Sequence, residues 1–488
     1  MIATLRERPW ALAAVLAIEA VLLGLMLVDP ILPIGLIFGV IAVLVVLSKP
    51  TWGVGILVAS RIIDTNALTI VRVGGTGLGL FEIIAVPCLL VLAQRAMSQK
   101  VALWQEWPWK WPLLLFGTFG AVSLLWSPNV ADGVGDLTPL VPIFVNATLV
   151  MAFTRDWKTF RGLTWFWLGG SVLVCLLTIF AGALGIEVGE VSFQAAAGGN
   201  RSTGLGQQPN WFAMTLFFGV PMAAAMAMSE PTKRLRWLAG AGGLFVAASM
   251  LSSGSRGGAF ATLIGGGLMA LANAKIRRIA FRFILPATLL LGVAVLLDIG
   301  GLQGPLTRIG AGGIEIQQDY RPWNWQACWD MFVDTWGVGI GAGGYKTLLP
   351  SYNFQVASTQ YNYPHGVFWQ LLAHFGVIGL ALFGWIIQRI FTMARVAWVS
   401  AKGTAAEPFV WAMPTAMVGY FAWTFVEFEY AEKPFWEFLA MFTALCLMMG
   451  RGVEIPEWSL NDVLSSSKPK SRLQKPFENG TPQATEPV

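Results

Sequence analysis

The sequence predicts an all-α integral membrane protein that crosses the bilayer many times, and three observations support this fold class. Hydrophobic residues make up 56% of the 488 residues, and charged residues only 12%, about half of the share in a soluble domain. Apolar runs of about 20 residues, long enough to cross a bilayer as a helix, recur along the chain. The 23 tryptophans agree with this class, because tryptophan gathers at membrane interfaces.

Fourteen apolar runs are candidate membrane spans. Because the third run is short and could be half of a broken segment, we expect 12–14 transmembrane helices. The candidates are residues 10–28, 31–47, 51–62, 79–97, 111–126, 137–153, 163–185, 210–228, 237–251, 257–273, 281–299, 366–390, 408–427 and 434–450.

These spans divide the chain into four parts. Residues 1–299 hold spans 1–11 with short loops, and residues 366–450 hold the C-terminal spans. Residues 300–365 form a large polar loop; loops of this length are usually functional or disordered, and its aromatic content favours order. We expect this loop to be partly helical and catalytic. Residues 451–488 are rich in Ser, Pro, Lys and Glu, which predicts a disordered cytoplasmic tail.

The distribution of lysine and arginine predicts the orientation. With a cytoplasmic N-terminus and strict alternation, 24 of the 32 basic residues face the cytoplasm, as the positive-inside tendency requires. The loop at 300–365 then lies on the external face. Eight basic residues remain on that face, namely Arg61, Arg72, Arg201, Arg256, Arg308, Arg321, Lys346 and Lys433.

Four of these external arginines are candidate ligands of a phosphate-containing substrate. Arg201, Arg256, Arg308 and Arg321 come from different hairpins but share the predicted external face. Guanidinium groups match phosphate oxygens in geometry and charge. The alternative, that each arginine snorkels to the interface or contacts headgroups, stays open. It is weakest for Arg256, because its Ser/Gly turn offers little apolar surface.

The chain has two histidines, and only one is a candidate catalytic residue. His365 follows Pro364, so we expect it in the first turn of a span, at the predicted external end, where it could accept a proton near neutral pH. A structural role at the interface is an equal alternative on these grounds. We expect His374, nine residues further along the same predicted helix, to point to the opposite face and to pack inside the bundle.

The remaining motifs predict no cofactor, metal or disulfide. The four cysteines have no CxxC spacing, which disfavours a zinc site or a disulfide. No nucleotide-binding or hydrolase fingerprint is present. The glycine-rich run GVGIGAGGY lacks the context of a phosphate loop, and we interpret it as a turn that permits close backbone approach.

Four segments in this order resemble the bacterial O-antigen ligase and O-antigen polymerase superfamily. The resemblance covers roughly residues 195–390, and its most specific part is a His at the start of a span followed by Gly-x-x-Gly. The segments are RSTGLGQQPNWFA, SSGSRGGAFATL, RPWNWQACWDMFVDTWGVGIGAGGY and PHGVFWQLLAHFGVIGLALF.

This resemblance implies a catalytic role for His365 and diphosphate binding by arginines. Arg256, Arg321, Arg201 and Arg308 are the matching positions, and the diphosphate would be that of a polyprenyl-linked glycan. The sequence departs from the family at two positions, because Gly366 stands where an Asn often follows the His, and His374 where an acidic residue often precedes the Gly-x-x-Gly. The group that orients His365 must then lie elsewhere, with Asn362 or Tyr363 as candidates.

The implied activity is glycosyl transfer at the periplasmic face of the bacterial inner membrane, without metal. The donor would be a glycan on undecaprenyl diphosphate, and the acceptor a sugar hydroxyl on lipid A-core or another glycan. A ligase is the preferred interpretation, and a polymerase of the same superfamily is the alternative. A transporter or flippase for an amphipathic anion is a rival from another class, but it requires charges at the bilayer midplane and paired broken helices. The predicted spans hold few such charges, namely Glu19, Glu82 and Glu427 near span ends, and the sequence shows no internal symmetry.

Overall fold

The computed structural model describes most of the chain between residues 40 and 458. Arg201, Arg308, the predicted spans 10–28 and 281–299, and all but the first residues of the predicted tail lie outside the described part. The described residues are 40, 41, 43–63, 71–73, 76–78, 80–98, 101–102, 106–183, 202, 204, 208–272, 277–278, 320–358 and 363–458.

The described residues are overwhelmingly helical, which confirms the all-α fold class. A short antiparallel hairpin pairs β1 (Val71–Val73) with β2 (Thr76–Leu78). The helices before the large polar loop are α1 Pro50–Ile63, α2 Leu80–Met97, α3 Lys110–Ser123, α4 Val130–Leu137, α5 Leu140–Phe153, α6 Trp157–Ala183, α7 Pro209–Phe217, α8 Gly219–Ser229, α9 Lys233–Ser252 and α10 Arg256–Ala272.

The large polar loop contributes three helices, and three more follow it. They are α11 Arg321–Asp334, α12 Gly344–Tyr352, α13 Phe354–Ala357, α14 Val367–Ser400, α15 Glu407–Thr424 and α16 Lys433–Gly450. The second half of the predicted loop is therefore helical, as expected. The external position of this segment stays a prediction.

Five described helical segments are long and apolar enough to cross a membrane. Two are built from consecutive helices, because α4 continues into α5 and α7 into α8. The protein is thus a multi-pass membrane protein, while the total of 12–14 spans stays a prediction. The five segments are Val130–Phe153, Trp157–Ala183, Pro209–Ser229, Lys233–Ser252 and Val367–Ser400.

Small residues let α10 and α15 pack closely in antiparallel directions. A Cβ atom on Gly419 would lie 2.2 Å from the carbonyl oxygen of Ala261, and one on Gly257 would lie 2.0 Å from the indole nitrogen of Trp423. Glycine at such contacts allows helix backbones to approach in membranes. The antiparallel register brings the N-terminus of α10, where Arg256 lies, to the C-terminal end of α15.

Helix α14 is interrupted at Gly376, where φ is +56° and ψ is −149°. The loop at residues 337–343 fills the interruption, because the amides of Ile340 and Gly341 donate to the carbonyls of Ala373 and His374, at 2.9 Å each. These hydrogen bonds satisfy backbone carbonyls that the broken helix leaves without internal partners. The glycine-rich loop therefore fixes the segment before α12 against the N-terminal third of α14.

Candidate functional site

Several helix ends converge beyond the C-terminus of α15. Asn210, at the start of α7, and Arg321, the first residue of α11, both bind Glu427 in the loop between α15 and α16. Arg256 begins α10, whose neighbouring Gly257 packs on Trp423 of α15. Residues distant in sequence thus meet on one side of the bundle.

Glu427 is the centre of this cluster. Its side chain is only 2% exposed, and its two oxygens have different partners. One oxygen accepts hydrogen bonds from Arg321 and from Asn210, the latter at 3.1 Å. The other accepts a hydrogen bond from the Tyr363 hydroxyl at 3.1 Å and lies 3.4 Å from Nδ1 of His365. One buried carboxylate therefore connects an arginine to a histidine.

The surroundings of Glu427 favour its ionised form. Burial alone would raise the pKa of this carboxyl, but the hydrogen bond with His365, and then the charge of Arg321, lower it, and the net pKa lies below the usual value. Hydrogen bonds and opposite charges stabilise a carboxylate in this way. Glu427 is thus a negative charge that holds Arg321 and His365 in place.

His365 lies just before a helix and not within one. Its φ is +49°, and α14 begins only at Val367. The prediction that His365 occupies the first turn of this span is wrong, because Pro364–His365–Gly366 is not helical. Contrary to the sequence prediction, His365 and His374 therefore do not lie on opposite faces of one helix. Left-handed backbone at a non-glycine residue is strained and is often found at functional sites.

Three contacts orient His365. The Tyr363 ring stacks on the imidazole with centroids 3.5 Å apart. The indole of Trp325 donates to the backbone carbonyl of His365 at 3.1 Å, and Glu427 faces Nδ1. Tyr363 was one of the two orienting residues suggested by the sequence. The other, Asn362, lies outside the described residues.

Gly366 is required by the backbone, which explains one departure from the resembled family. Its φ is +152°, and a Cβ atom there would lie 2.5 Å from the carbonyl oxygen of Phe425. An Asn in this position would clash with the loop that holds Glu427. In this chain, orientation of the histidine comes from Tyr363, Trp325 and Glu427 instead.

His374 packs inside the bundle, as expected. It is 3% exposed, and its Nδ1 lies 3.6 Å from a carboxylate oxygen of Asp136. The same oxygen of Asp136 accepts a hydrogen bond from the amide of Gly343 at 3.0 Å. His374 therefore belongs to the contact between α4, α14 and the glycine-rich loop. It lies apart from the Glu427 cluster.

The turn interpretation of GVGIGAGGY is also confirmed. Gly337, Gly339, Gly341 and Gly343 all have positive φ. A Cβ atom on Gly339 would lie 2.6 Å from the carbonyl oxygen of His374. The glycines permit a close approach between backbones.

Arg256 is exposed at the first position of α10, after a turn that includes Gly254 at φ +62°. The hydroxyl of Ser255 caps the helix by accepting from the amide of Gly258 at 3.3 Å. Among the described residues, no carboxylate forms an ion pair with Arg256. Ser202 donates to the carbonyl of Ser252 at 3.1 Å, so the chain next to Arg201 reaches the same turn.

Sequence reasoning missed Glu427 and Asn210 as members of this cluster. The signal for Glu427 was a carboxylate inside the apolar run 408–427, since an ionisable residue in such a run is a candidate functional residue. The sequence interpretation treated it as a charge near a span end. Asn210 had no signal of its own, because only the fold brings it to Glu427.

Two further carboxyls follow Glu427 in the same loop. Burial, and then the charge of Glu429, raise the pKa of Glu432 to about 8. Burial, and then the charge of Asp136, raise the pKa of Glu429. Despite these acids, no group of three or more His, Cys, Asp or Glu side chains in the described part of the chain is arranged to hold a metal ion.

The fold and the cluster define a multi-pass membrane protein with a polar site at the helix ends on one side. Residues 241–384 match the O-antigen ligase family model, and this match supports the O-antigen ligase superfamily that the sequence motifs indicated. The matched segment includes Arg256, Arg321 and His365, whereas Asn210 and Glu427 lie on either side of it. A comparison with curated proteins gave no match.

Proposed function

We propose that this protein is a glycosyltransferase that moves a glycan from undecaprenyl diphosphate to a sugar hydroxyl of an acceptor. The observation that supports this most directly is the bridging of Arg321 and His365 by the two oxygens of Glu427. A group suited to phosphate and a group suited to proton transfer are thereby held next to each other. The reaction takes place at the periplasmic face of the bacterial inner membrane.

The arginines would bind and stabilise the leaving group. When the glycosidic bond to the donor phosphate breaks, negative charge develops on the diphosphate. The Arg321 side chain is 32% exposed, so part of its guanidinium can reach a ligand while Glu427 holds it. Arg256, exposed at the start of α10, is the second diphosphate ligand. Fixed positive groups of this kind stabilise developing charge, and Arg201 and Arg308 are the further proposed ligands.

His365 would accept the proton of the acceptor hydroxyl. With Nδ1 directed at Glu427, a proton on this nitrogen leaves the lone pair on Nε2 for the substrate. The acceptor oxygen attacks the anomeric carbon of the donor sugar, the bond to phosphate breaks, and the proton moves to Nε2. Glu427 stabilises the imidazolium that forms, as a carboxylate does beside other catalytic histidines. The arginines neutralise the leaving group, so the reaction as proposed uses no metal or cofactor.

The test is a transfer assay with purified protein in liposomes. Supplied with undecaprenyl-diphosphate glycan and lipid A-core, the protein should release undecaprenyl diphosphate and form a new glycosidic bond to the core. Elongation of the lipid-linked glycan in the absence of lipid A-core would identify a polymerase instead. Movement of the lipid-linked glycan across the bilayer, with no new bond, would identify a flippase and contradict the proposal. In cells, deletion of the gene should cause the lipid-linked donor to accumulate.

A further inference from the structure

The C-terminal end of α11 exposes a set of large apolar side chains. Trp329, Val333 and Val338 are exposed, and Trp336 in the turn after the helix is 95% exposed. In the helix, Trp329 and Val333 are four residues apart, so they lie on one face. The acids Asp330 and Asp334 are displaced from this face by about 100°. This end of α11 is therefore amphipathic on its outer side.

Trp336 occupies a position that normally selects glycine. The amide of Gly337 donates to the carbonyl of Phe332 at 2.9 Å, and the amide of Trp336 donates to Val333 at 3.0 Å. This pair of hydrogen bonds is typical of a helix C-terminus at which the residue after the C-cap has left-handed backbone and is most often glycine. Here Trp336 has φ +54°, an unfavourable backbone for a bulky residue. A tryptophan that is both strained and 95% exposed indicates a role for its side chain outside the protein core.

The apolar surface is continuous with the lipid-facing side of α14. Residues 371–376 of α14 are buried on all sides, whereas Val377 and Ile378 are exposed. Exposed apolar residues on a helix that can span the membrane face lipid. The amide of Val377 donates to the carbonyl of Gly337 at 3.0 Å. This hydrogen bond sets the Trp336 turn at the level of the exposed Val377 and Ile378 of α14.

We propose that the end of α11 and the turn after it are inserted into the membrane interface, with Trp336 as the anchor. The occupant of the apolar surface is thus the lipid of the adjacent leaflet. Tryptophan prefers this zone, where its ring is apolar and its N–H reaches water or headgroups. The acids on the neighbouring side of α11 face water. The segment that bears Arg321 is therefore fastened to the bilayer surface at its other end.

Site-directed spin labelling in reconstituted bilayers tests this proposal. Single cysteines at Val333 and Val338 take a nitroxide while Trp336 stays intact, with Asp334 as the matched aqueous control. The four native cysteines are replaced by alanine, and this background must retain the native melting temperature. We expect labels at 333 and 338 to collide more with oxygen, which partitions into lipid, than with a water-soluble nickel complex. The label at 334 should show the opposite order.

Two outcomes would overturn the proposal. Preferential access of the nickel complex at 333 and 338 would place this surface in water, and exclusion of both reagents would show that protein covers it. Trp336→Gly provides a second measurement. It should raise the melting temperature in detergent, because glycine relieves the left-handed strain, while the label at 333 shifts toward water in bilayers. None of these measurements depends on transfer activity, so their failure is separate from failure of the proposed reaction.

Discussion

Glu427 binds different partners through its two oxygens, so single substitutions around it can separate the roles of base and diphosphate ligand. His365 contacts one oxygen and Arg321 the other. Removing either partner leaves the second still attached to the carboxylate. Both His365 and Phe428, which follows Glu427, have positive φ at non-glycine positions. The site thus concentrates backbone strain where the proposed chemistry takes place.

His365→Ala should lower the rate of glycosyl transfer by about a hundred- to ten-thousand-fold, the usual contribution of a general base. Donor binding should change little, because Arg321 remains bound to Glu427. Single-turnover transfer and donor binding by the purified protein give the two quantities. His374→Ala is the control, because it removes a buried side chain beside Asp136. It should lower the melting temperature and reduce the transfer rate far less than His365→Ala does. Equal, mild effects on transfer would show that His365 is not the base.

Glu427→Gln should remove a pH-dependent contribution to stability. The pKa of Glu427 lies below its usual value in the folded protein. The ionised group therefore stabilises the fold above the unfolded pKa of about 4.3, and this stabilisation is lost as the pH falls toward the folded pKa. Melting temperatures of the wild type and the variant should differ most at neutral pH and converge on acidification. A difference that does not change with pH would contradict the assigned ion pair.

Glu432→Gln should have the opposite pH signature. Because the folded pKa of Glu432 is about 8, the wild type loses stability relative to the variant as the pH rises from the unfolded pKa, about 4.3, to the folded pKa. The two proteins should have similar melting temperatures at about pH 4, and the variant should have the higher melting temperature at about pH 9. A constant difference across this range would mean that Glu432 is ionised in the folded protein at neutral pH.

At the scale of elements, the break in α14 and the loop at 337–343 form one structural unit. A Cβ atom on Gly376 would lie 1.9 Å from the carbonyl oxygen of Gly337. The backbone of Gly376 is in a region that other residues rarely enter. This unit connects the chain after α11 to the N-terminal third of α14, and so links the elements that bear Arg321 and His365.

Gly376→Ala should therefore destabilise the protein by more than about 1–3 kcal/mol, the cost of such backbone strain without the clash. Gly384→Ala is the matched control within the same helix. A Cβ atom there meets no other atom within 4 Å, and alanine in a helix is favoured over glycine by roughly 0.5–1 kcal/mol. In detergent, the melting temperature of Gly376→Ala should lie below that of the wild type, and the melting temperature of Gly384→Ala should lie above it. Similar melting temperatures for both would show that the break does not constrain α14.

The sequence predicted the helices of this region better than their ends. Apolar runs located α14 and α15 because burial and lipid contact both require continuous hydrophobicity. They did not reveal the non-helical His365 or the break at Gly376, since both arise from contacts with segments distant in sequence. The glycine-rich turn was predictable, because glycine readily tolerates the left-handed backbone that recurs at every second residue from 337 to 343. Glu427 was not recognised as the centre of the site, since its partners come from three other elements.

At the scale of the whole molecule, the site lies on one side of the bundle, and the distribution of basic residues predicts which side. The N-terminal ends of α7 and α11 and the segment before α14 meet the loop between α15 and α16 there. The N-terminal end of α10 packs on the C-terminal end of α15. The opposite end of α14 leads to Lys402, on the side that holds 24 of the 32 basic residues under the predicted topology. The positive-inside tendency assigns that end to the cytoplasm, so the site should face the periplasm.

Cysteine labelling in intact spheroplasts checks this orientation. Ser351 is exposed on α12, and Lys402 is exposed in the turn after α14. With an impermeant maleimide, Ser351→Cys should react in intact spheroplasts, and Lys402→Cys only after the membrane is permeabilised. A cysteine in place of Ser467, in the predicted tail, should behave like the one at 402. The reverse pattern would show that the protein has the opposite orientation in the membrane, with Arg321, His365 and Glu427 on the cytoplasmic side. A periplasmic pool of lipid-linked donor could not reach them there, so the proposed reaction would fail with the topology.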